Sequence, residues 1–308
     1  MAFMNLDRKI IGGIVPAILT VSILVGMCSA QIVPAIFVFG DSLLDAGNNN
    51  YILTLSKANY VPNGIDFGMP TGRFTNGRTV ADIIGQELGL KDFTPPYLAP
   101  TTTGSVVLQG VNYASGAGGI LNHTGKLFML ITPEVFVGTM ISRFRLQLTR
   151  LYNLGTRKIV VSSVGPIGCI PFERDANPAA GDNCVSLANQ LAQLFNAELK
   201  SLITDLSTNL KESKFVYADS YSILEDILQN YISYGFENAN SACCYLAGRF
   251  GGLIPCGPHS KICSDRSKHV FWDPYHPSEA TNLLTARRLL DGDTNDITPM
   301  NIRQLARL

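Results

Sequence analysis

The sequence predicts an α/β fold built on a parallel sheet, and three observations carry that prediction. Short β-branched runs alternate with longer segments of helical periodicity, the order that βα units produce. The apolar runs end abruptly in Gly-Asp-Ser or Gly-Pro turns, as strand tips do. The chain has 308 residues, 46% of them hydrophobic, enough for one large core or two small ones.

Residues 1–30 have the layout of a secretory signal. Arg8 and Lys9 flank an apolar run from Ile10 to Met27, and Cys28-Ser29-Ala30 offers small residues for cleavage after Ala30. Read instead as a membrane anchor, the run is near the lower length limit for a span and contains Gly12, Gly13 and Pro16. Cleavage is the preferred reading. No later segment is long and apolar enough to span a bilayer, so residues 31–308 are expected to form a single soluble domain, secreted to the extracellular space.

Ile32 to Phe39 reads as a buried strand broken by Gly40-Asp41-Ser42. A serine at such a tip sits where α/β sheets place their ligands. Equally, Gly40-Asp41-Ser42 can be a turn that only caps the next helix, since Asp and Ser are favoured N-caps. Alone, the stretch leaves both readings open. The Asn/Gly/Pro-rich region that follows, to about residue 78, reads as a long surface loop of the substrate-binding kind.

Thr79 to Leu88 has helical periodicity, with Val80, Ile83, Ile84 and Leu88 on one face and Gly89 as the stop. Pro95, Pro96 and Pro100 mark a rigid connector. Val106 to Ala114 is expected to be a second strand running into Ser115-Gly116-Ala117-Gly118-Gly119. Pro133 to Asn153 is a helix, with Pro133 and Glu134 suited to its first turn and Gly155 to its C-cap. Lys158 to Val164 is a β-branched strand ending in Gly165-Pro166. Ser186 to Leu210 is a long amphipathic helix, Phe215 to Ala218 a short strand and Tyr221 to Asn230 a helix. An irregular, cysteine-rich segment (Ala239 to Arg266) leads to Val270–Pro277 and a last helix, Ser278 to Leu290. Repeats and low-complexity tracts are absent.

Lys plus Arg equals Asp plus Glu at 24 each, so nothing points to nucleic acid or a polybasic membrane patch. Of seven cysteines, removing Cys28 leaves six: Cys169, Cys184, Cys243, Cys244, Cys256 and Cys263. An even number in an exported chain favours disulfides. Cys169 with Cys184 closes one short loop, and the last four staple the segment before the C-terminal helix. No Cys-x-x-Cys pair or Cys/His clip of zinc spacing occurs, so neither metal nor cofactor is expected. Asn122-His123-Thr124 is a glycosylation sequon.

If Ser42 is a nucleophile it needs a base, and there are only four histidines. His123 lies in the sequon; His259 and His269 lie in or beside the cysteine-rich segment. His276 follows Asp273 by three residues and precedes Pro277. A carboxylate at that spacing, on a turn leading into a helix, can fix the imidazole tautomer and stabilise the imidazolium formed when a serine proton is taken. Alternatively, Asp273 caps a turn and His276 faces solvent.

Together, Ser42 and Asp273/His276 resemble the GDSL, or SGNH, hydrolases, in particular the secreted plant esterase/lipase branch. The resemblance runs through nearly the whole mature chain. Phe37–Asn50 matches the first block of that family and Gly110–Gly116 the second. Lys158–Pro171 matches its strand and Gly-Pro-x-Gly-Cys-x-Pro loop, and Phe271–Pro277 its last block. Leu289–Asp293 and Pro299–Asn301 match its tail. Classical α/β-hydrolases place the serine in Gly-x-Ser-x-Gly, whereas Leu44 occupies the fifth position here.

The resemblance implies a three-layer α/β/α sandwich of flavodoxin-like topology that cleaves small-molecule or lipid carboxylic esters without a cofactor. Ser42 would be the nucleophile, His276 the general base and then acid, and Asp273 the orienting carboxylate, with an acyl-enzyme released by water. The oxyanion would be met by the N–H of Ser42, by that of Gly119 or Gly118, and by an Asn side chain of a Gly-x-Asn-Asp block.

That last block is missing. Relatives carry a long helical segment and a strand ending in it, between the second block and the helix matched by Pro133–Asn153; here residues 125–132 join the two directly. Asn295-Asp296 is a decoy in the tail, and Asn112 and Asn48 to Asn50 occur in relatives alongside the missing Asn. Losing one oxyanion donor costs roughly 10²- to 10³-fold in turnover. Losing a central strand leaves two ladder edges and a core groove unfilled, comparable with the few kcal/mol of net stability of a domain. Leu127–Ile131 is apolar and of strand length, but a parallel crossover needs a dozen or more residues. Either the Ser42 and Lys158 strands pair directly or the sheet is imperfect. Two alternatives to an active enzyme follow: a non-catalytic shortened isoform, and a mis-joined gene model.

Overall fold

The structure is a computed structural model and describes residues 32–121 and 132–308. The expected signal, Asn122 and the Leu127–Ile131 stretch lie outside the described residues.

In chain order, α1 is Val80–Glu87, α2 Pro133–Asn153, β1 Lys158–Ser162, α3 Pro171–Ala176, α4 Ser186–Asn209, β2 Lys214–Ala218 and α5 Ser220–Gln229. The short strands β3 (Asn238–Ala242), β4 (Cys244–Tyr245), β5 (Lys261–Ile262) and β6 (His269–Phe271) follow. The chain closes with α6 (Glu279–Asp291), β7 (Ile297–Thr298) and α7 (Ile302–Arg307). Local chemistry sets the helix starts. Thr79 and Asp82 form a capping box at α1, the Thr132 hydroxyl accepts from Val135 N–H ahead of Pro133 at α2, and Asp219 and Ser278 cap α5 and α6. Gly155, at φ +100°, follows the end of α2 as expected.

β1 and β2 pair in parallel from Lys158↔Lys214 to Ser162↔Ala218, and β7 adds an antiparallel edge at Tyr217↔Thr298. The alternation of side chains along these strands divides the interior into two. Ile159, Val161, Phe215 and Tyr217 face α2 and α4, meeting Val137, Leu148, Phe195 and Leu199. Val216 and Ala218 face the other way, onto Ile223 and Ile227 of α5, Leu289 and Leu290 of α6, and Ile302 and Leu305 of α7. Helices therefore cover both faces, the α/β arrangement the alternating pattern predicts. Among the described residues no helix is long and apolar enough to cross a membrane.

The two strands expected nearest the serine are not regular strands. Residues 32–40 run extended but form only one isolated bridge, Val38↔Asn112, through Val38 N–H to Val111 O (3.0 Å) and Tyr113 N–H to Val38 O (2.7 Å). Of the expected Val106–Ala114 strand, Gly104–Gln109 is a 3₁₀ helix, and only the residues from Gly110 on run alongside the first segment. No pairing joins either segment to β1 among the described residues, so the sheet is imperfect rather than closed by direct pairing. A ladder with a partner on one side only gains half the hydrogen bonds of a central strand, and regular geometry is lost with them. The same opening leaves Phe37 and Phe39 each 52% exposed and Val160 of β1 39% exposed.

Gly110 permits a close approach of the two segments. It sits at φ +109°, and a Cβ there would collide with the backbone of Ile36. Gly110→Ala is expected to lower stability by about 1–3 kcal/mol from backbone strain alone, read as a reduced midpoint in a urea melt.

The region to residue 78 is not the surface loop its composition suggests. Asn48, Asn49, Asn63, Arg73, Thr75 and Asn76 are buried. The Arg73 guanidinium donates from Nε and Nη2 to the two Asp82 oxygens at 2.7 and 2.8 Å, clamping the segment to α1. Polar side chains that bond backbone groups let an irregular segment be buried. The cysteine-rich segment likewise contains β3, β4 and β5. It is closed by Cys243–Cys263 and Cys244–Cys256, while Cys169–Cys184 forms as its spacing suggests.

Candidate active site

Ser42 lies in a tight turn that Asp41 organises. The Asp41 carboxylate accepts from Leu43 N–H (3.0 Å), and its carbonyl accepts from the N–H groups of Leu44 and Asp45. Asp41 thus caps the turn, and Ser42 beside it is left half-buried with its hydroxyl directed at His276.

The imidazole comes from the other end of the chain. After β6, Trp272–His276 form a turn in which Trp272 N–H donates to His276 O at 2.8 Å. Asp273 Oδ1 accepts from the backbone N–H groups of Tyr275 and His276, both at 2.8 Å. The carboxylate is thereby aimed at its own neighbour's ring: both its oxygens lie 2.8 Å from His276 Nδ1. His276 Nε2 lies 2.8 Å from Ser42 Oγ. Asp273 and His276 are almost fully buried. The turn is braced from outside by Thr75 Oγ1 on Pro277 O (3.2 Å), Phe172 N–H on Pro274 O (3.0 Å) and the Phe74 ring, 5.2 Å from the imidazole. With Asp273 accepting at Nδ1, the neutral imidazole keeps a lone pair at Nε2 and can receive a proton from Ser42. Burial first, and the Asp273 charge second, raise the phenol of nearby Tyr60 above its ordinary range, and those of Tyr275 likewise.

The glycine turn of the second block faces the serine turn. Ser115 N–H donates to Gly40 O at 3.1 Å. Ala117 takes a left-handed φ of +64°, and Gly118 N–H closes the turn on Ser115 O at 2.8 Å. Of the two glycines singled out by sequence, Gly118 has therefore committed its N–H. The N–H groups of Ser42 and Gly119 have no acceptor among the described residues.

Sequence reasoning did not single out Asp45, Asn63 or Phe74. Asp45 is fully buried; burial pushes its carboxyl above the usual carboxylate range, and N–H bonds led by that of Gly116 pull it back. Asn63 accepts from Trp272 Nε1 at 3.0 Å. Their signals are long-range partners that no local spacing shows. Asp296 of the tail decoy pairs with Arg288, away from the serine. Cys243, Cys263 and His269 group closely enough for a metal, but the two sulfurs are bonded to each other and offer no thiolate.

A family profile described as GDSL-like lipase/acylhydrolase matches residues 130–289. The chain is 56% identical to the Arabidopsis thaliana protein called GDSL esterase/lipase At4g16230, over 90% of this chain and 92% of that relative. It is 46% identical to GDSL esterase/lipase At3g50400 of the same plant, over 88% and 90% respectively. The first alignment runs over 337 positions but takes up only 90% of the 308 residues, about 277, so about 60 positions of the relative face gaps here. Gapped positions on that scale are in keeping with a segment of several dozen residues lost from this chain. The chain belongs to the GDSL-like lipase/acylhydrolase family, and its chemistry is that of a serine hydrolase acting on carboxylic esters.

Proposed function

We propose that this chain is a secreted, single-domain enzyme that cleaves small-molecule or lipid esters through an acyl-enzyme on Ser42. The observation that carries the reading is the hydrogen-bonded line from Ser42 Oγ through His276 to Asp273. Ser42 Oγ attacks the ester carbonyl carbon as its proton passes to His276 Nε2, and Asp273 stabilises the imidazolium. Collapse of the tetrahedral intermediate breaks the bond to the alkoxy oxygen, which leaves as the alcohol with the proton from His276. Water, deprotonated by the same imidazole, then releases the carboxylic acid and restores Ser42. The N–H groups of Ser42 and Gly119 meet the oxyanion; with the Asn donor gone, turnover is expected roughly 10²- to 10³-fold below that of a fully equipped site.

Secretion is supported by the layout of residues 1–30 and by three disulfides in the remainder. Asn122 is the proposed glycan acceptor. The non-catalytic alternative is not favoured, since all three side chains keep working contact despite the shortened middle.

Hydrolysis of p-nitrophenyl butyrate by the purified protein and its Ser42→Ala variant tests the reading. The variant is expected to lose on the order of 10⁵- to 10⁶-fold in kcat. Equal rates for the two would remove Ser42 from the chemistry.

A further inference from the structure

We propose that Asp45 and Asn49 are positioning residues that fix the glycine turn at Ser115–Gly119 against the serine turn, and so hold the two backbone donors in register. The inference rests on the reading of Ser42 and Gly119 N–H groups as the oxyanion donors.

Asp45 belongs to the serine turn, since its own N–H donates to Asp41 O at 3.1 Å. Its side chain is completely buried and has no cationic partner among the described residues. Oδ1 accepts from Gly47 and Asn48 N–H, each at 2.7 Å, and Oδ2 reaches across the gap to accept from Gly116 N–H at 2.9 Å. Asn49 makes the second tie. Its amide donates to Gly116 O at 2.9 Å and its carbonyl accepts from Ser115 Oγ at 2.6 Å. Both the N–H and the C=O of Gly116 are therefore held by side chains of the serine block.

A carboxylate is an expensive way to fill a buried polar site, because the unpaired charge resists desolvation. What it provides is two acceptor oxygens. An asparagine there has only one; its amide would point N–H against the N–H of Gly116 and leave that donor unsatisfied. Gly116 is followed directly by Ala117, whose left-handed backbone aims the chain toward Gly118 and Gly119. Release of Gly116 thus moves the Gly119 N–H relative to Ser42. The family resemblance implies a side-chain amide as a further oxyanion donor, from a block this chain lacks. Here only the two backbone donors remain, so their relative placement carries all of that stabilisation, and a displacement near 1 Å costs on the order of 10²-fold.

The test uses the whole protein and counts competent sites first. Wild type, Asp45→Asn and Ser115→Ala are each titrated to completion with diisopropyl fluorophosphate. Then kcat per titrated site and KM are measured with p-nitrophenyl butyrate, and Ki for an alkyl trifluoromethyl ketone, which forms a tetrahedral oxyanion on the serine. For Asp45→Asn the expected result is a fall in kcat per site of about 30- to 100-fold. KM should stay within about twofold, and Ki should rise by a factor similar to the loss in kcat/KM. A merely structural role changes the number of titratable sites and the melting temperature, but neither kcat per site nor Ki; that result overturns the proposal. If Asp45→Asn gives no cooperative melt, the decision passes to Ser115→Ala, which removes only the half-buried bond to Asn49. A fall of about 3- to 10-fold per site with KM unchanged supports the proposal, and an unchanged kcat per site overturns it. Wild-type protein without titratable Ser42 overturns the catalytic reading itself, which separates the two failures.

Discussion

Asp273→Asn is expected to lower kcat about 10⁴-fold with KM nearly unchanged and the melting temperature close to wild type. The size follows from which oxygen does what. Oδ1 of Asp273 holds the backbone N–H groups of Tyr275 and His276, an arrangement an asparagine carbonyl reproduces. Its NH₂ group then stands where Oδ2 was and points a donor at Nδ1 of His276. The neutral ring answers by carrying its proton on Nε2, so the nitrogen 2.8 Å from Ser42 Oγ has no lone pair with which to take the hydroxyl proton. Steady-state kinetics on p-nitrophenyl butyrate beside a thermal melt checks this. A variant within tenfold of wild type would mean that the imidazole is oriented by something other than Asp273.

Trp272→Ala is expected to cost about 3–5 kcal/mol. The indole is fully buried against Cys243, Cys244 and Cys256, and its Nε1–H donates to Asn63 Oδ1 at 3.0 Å. Its backbone carbonyl accepts from Cys244 N–H at 2.6 Å. Truncation leaves a cavity one residue before Asp273 and orphans the Asn63 amide oxygen. Since a domain has only about 5–15 kcal/mol of net stability, a urea melt should show a sharply lower midpoint. Trp272→Phe should recover most of the volume and lose chiefly the hydrogen bond to Asn63, about 1–3 kcal/mol.

The pair at 273 and 276 was legible as one of two options, because a carboxylate three residues before an imidazole set between two prolines can reach the ring. A solvent-facing His276 stayed open until the structure put both Asp273 oxygens 2.8 Å from Nδ1. The abrupt end of an apolar run marked the turn at Ser42 but left its role open between nucleophile and helix cap, and only the family resemblance chose between them. Helix limits such as Pro133 and Gly155 were readable from caps, which act within one turn of the chain. The strands on either side of the serine were not. Ile32–Phe39 has the composition of a strand, yet a strand exists only through its neighbours, and here a single bridge at Val38↔Asn112 is all the pairing it finds among the described residues. Gly104–Gln109 shows the same dependence, with β-branched residues in a 3₁₀ turn where no ladder claims them. The polar run from Asn48 to Asn76 misled in the opposite direction. Its asparagines look like solvent-facing loop residues until Asn48 is seen to donate to Asn112 O and Ala114 O, partners more than sixty residues away.

The cystine-backed seat of Trp272 ties the catalytic turn to the oxidation state of its cysteines. Cys243 N–H bonds Phe271 O and Cys244 N–H bonds Trp272 O, so two crosslinked residues grip the strand that delivers the acid to the imidazole. With the thiols free, those backbone bonds would hold the turn that carries Asp273 without a covalent brace behind them. Reducing the two crosslinks is therefore expected to loosen that turn and lower esterase turnover, read as slower hydrolysis of p-nitrophenyl butyrate after treatment with a thiol reductant.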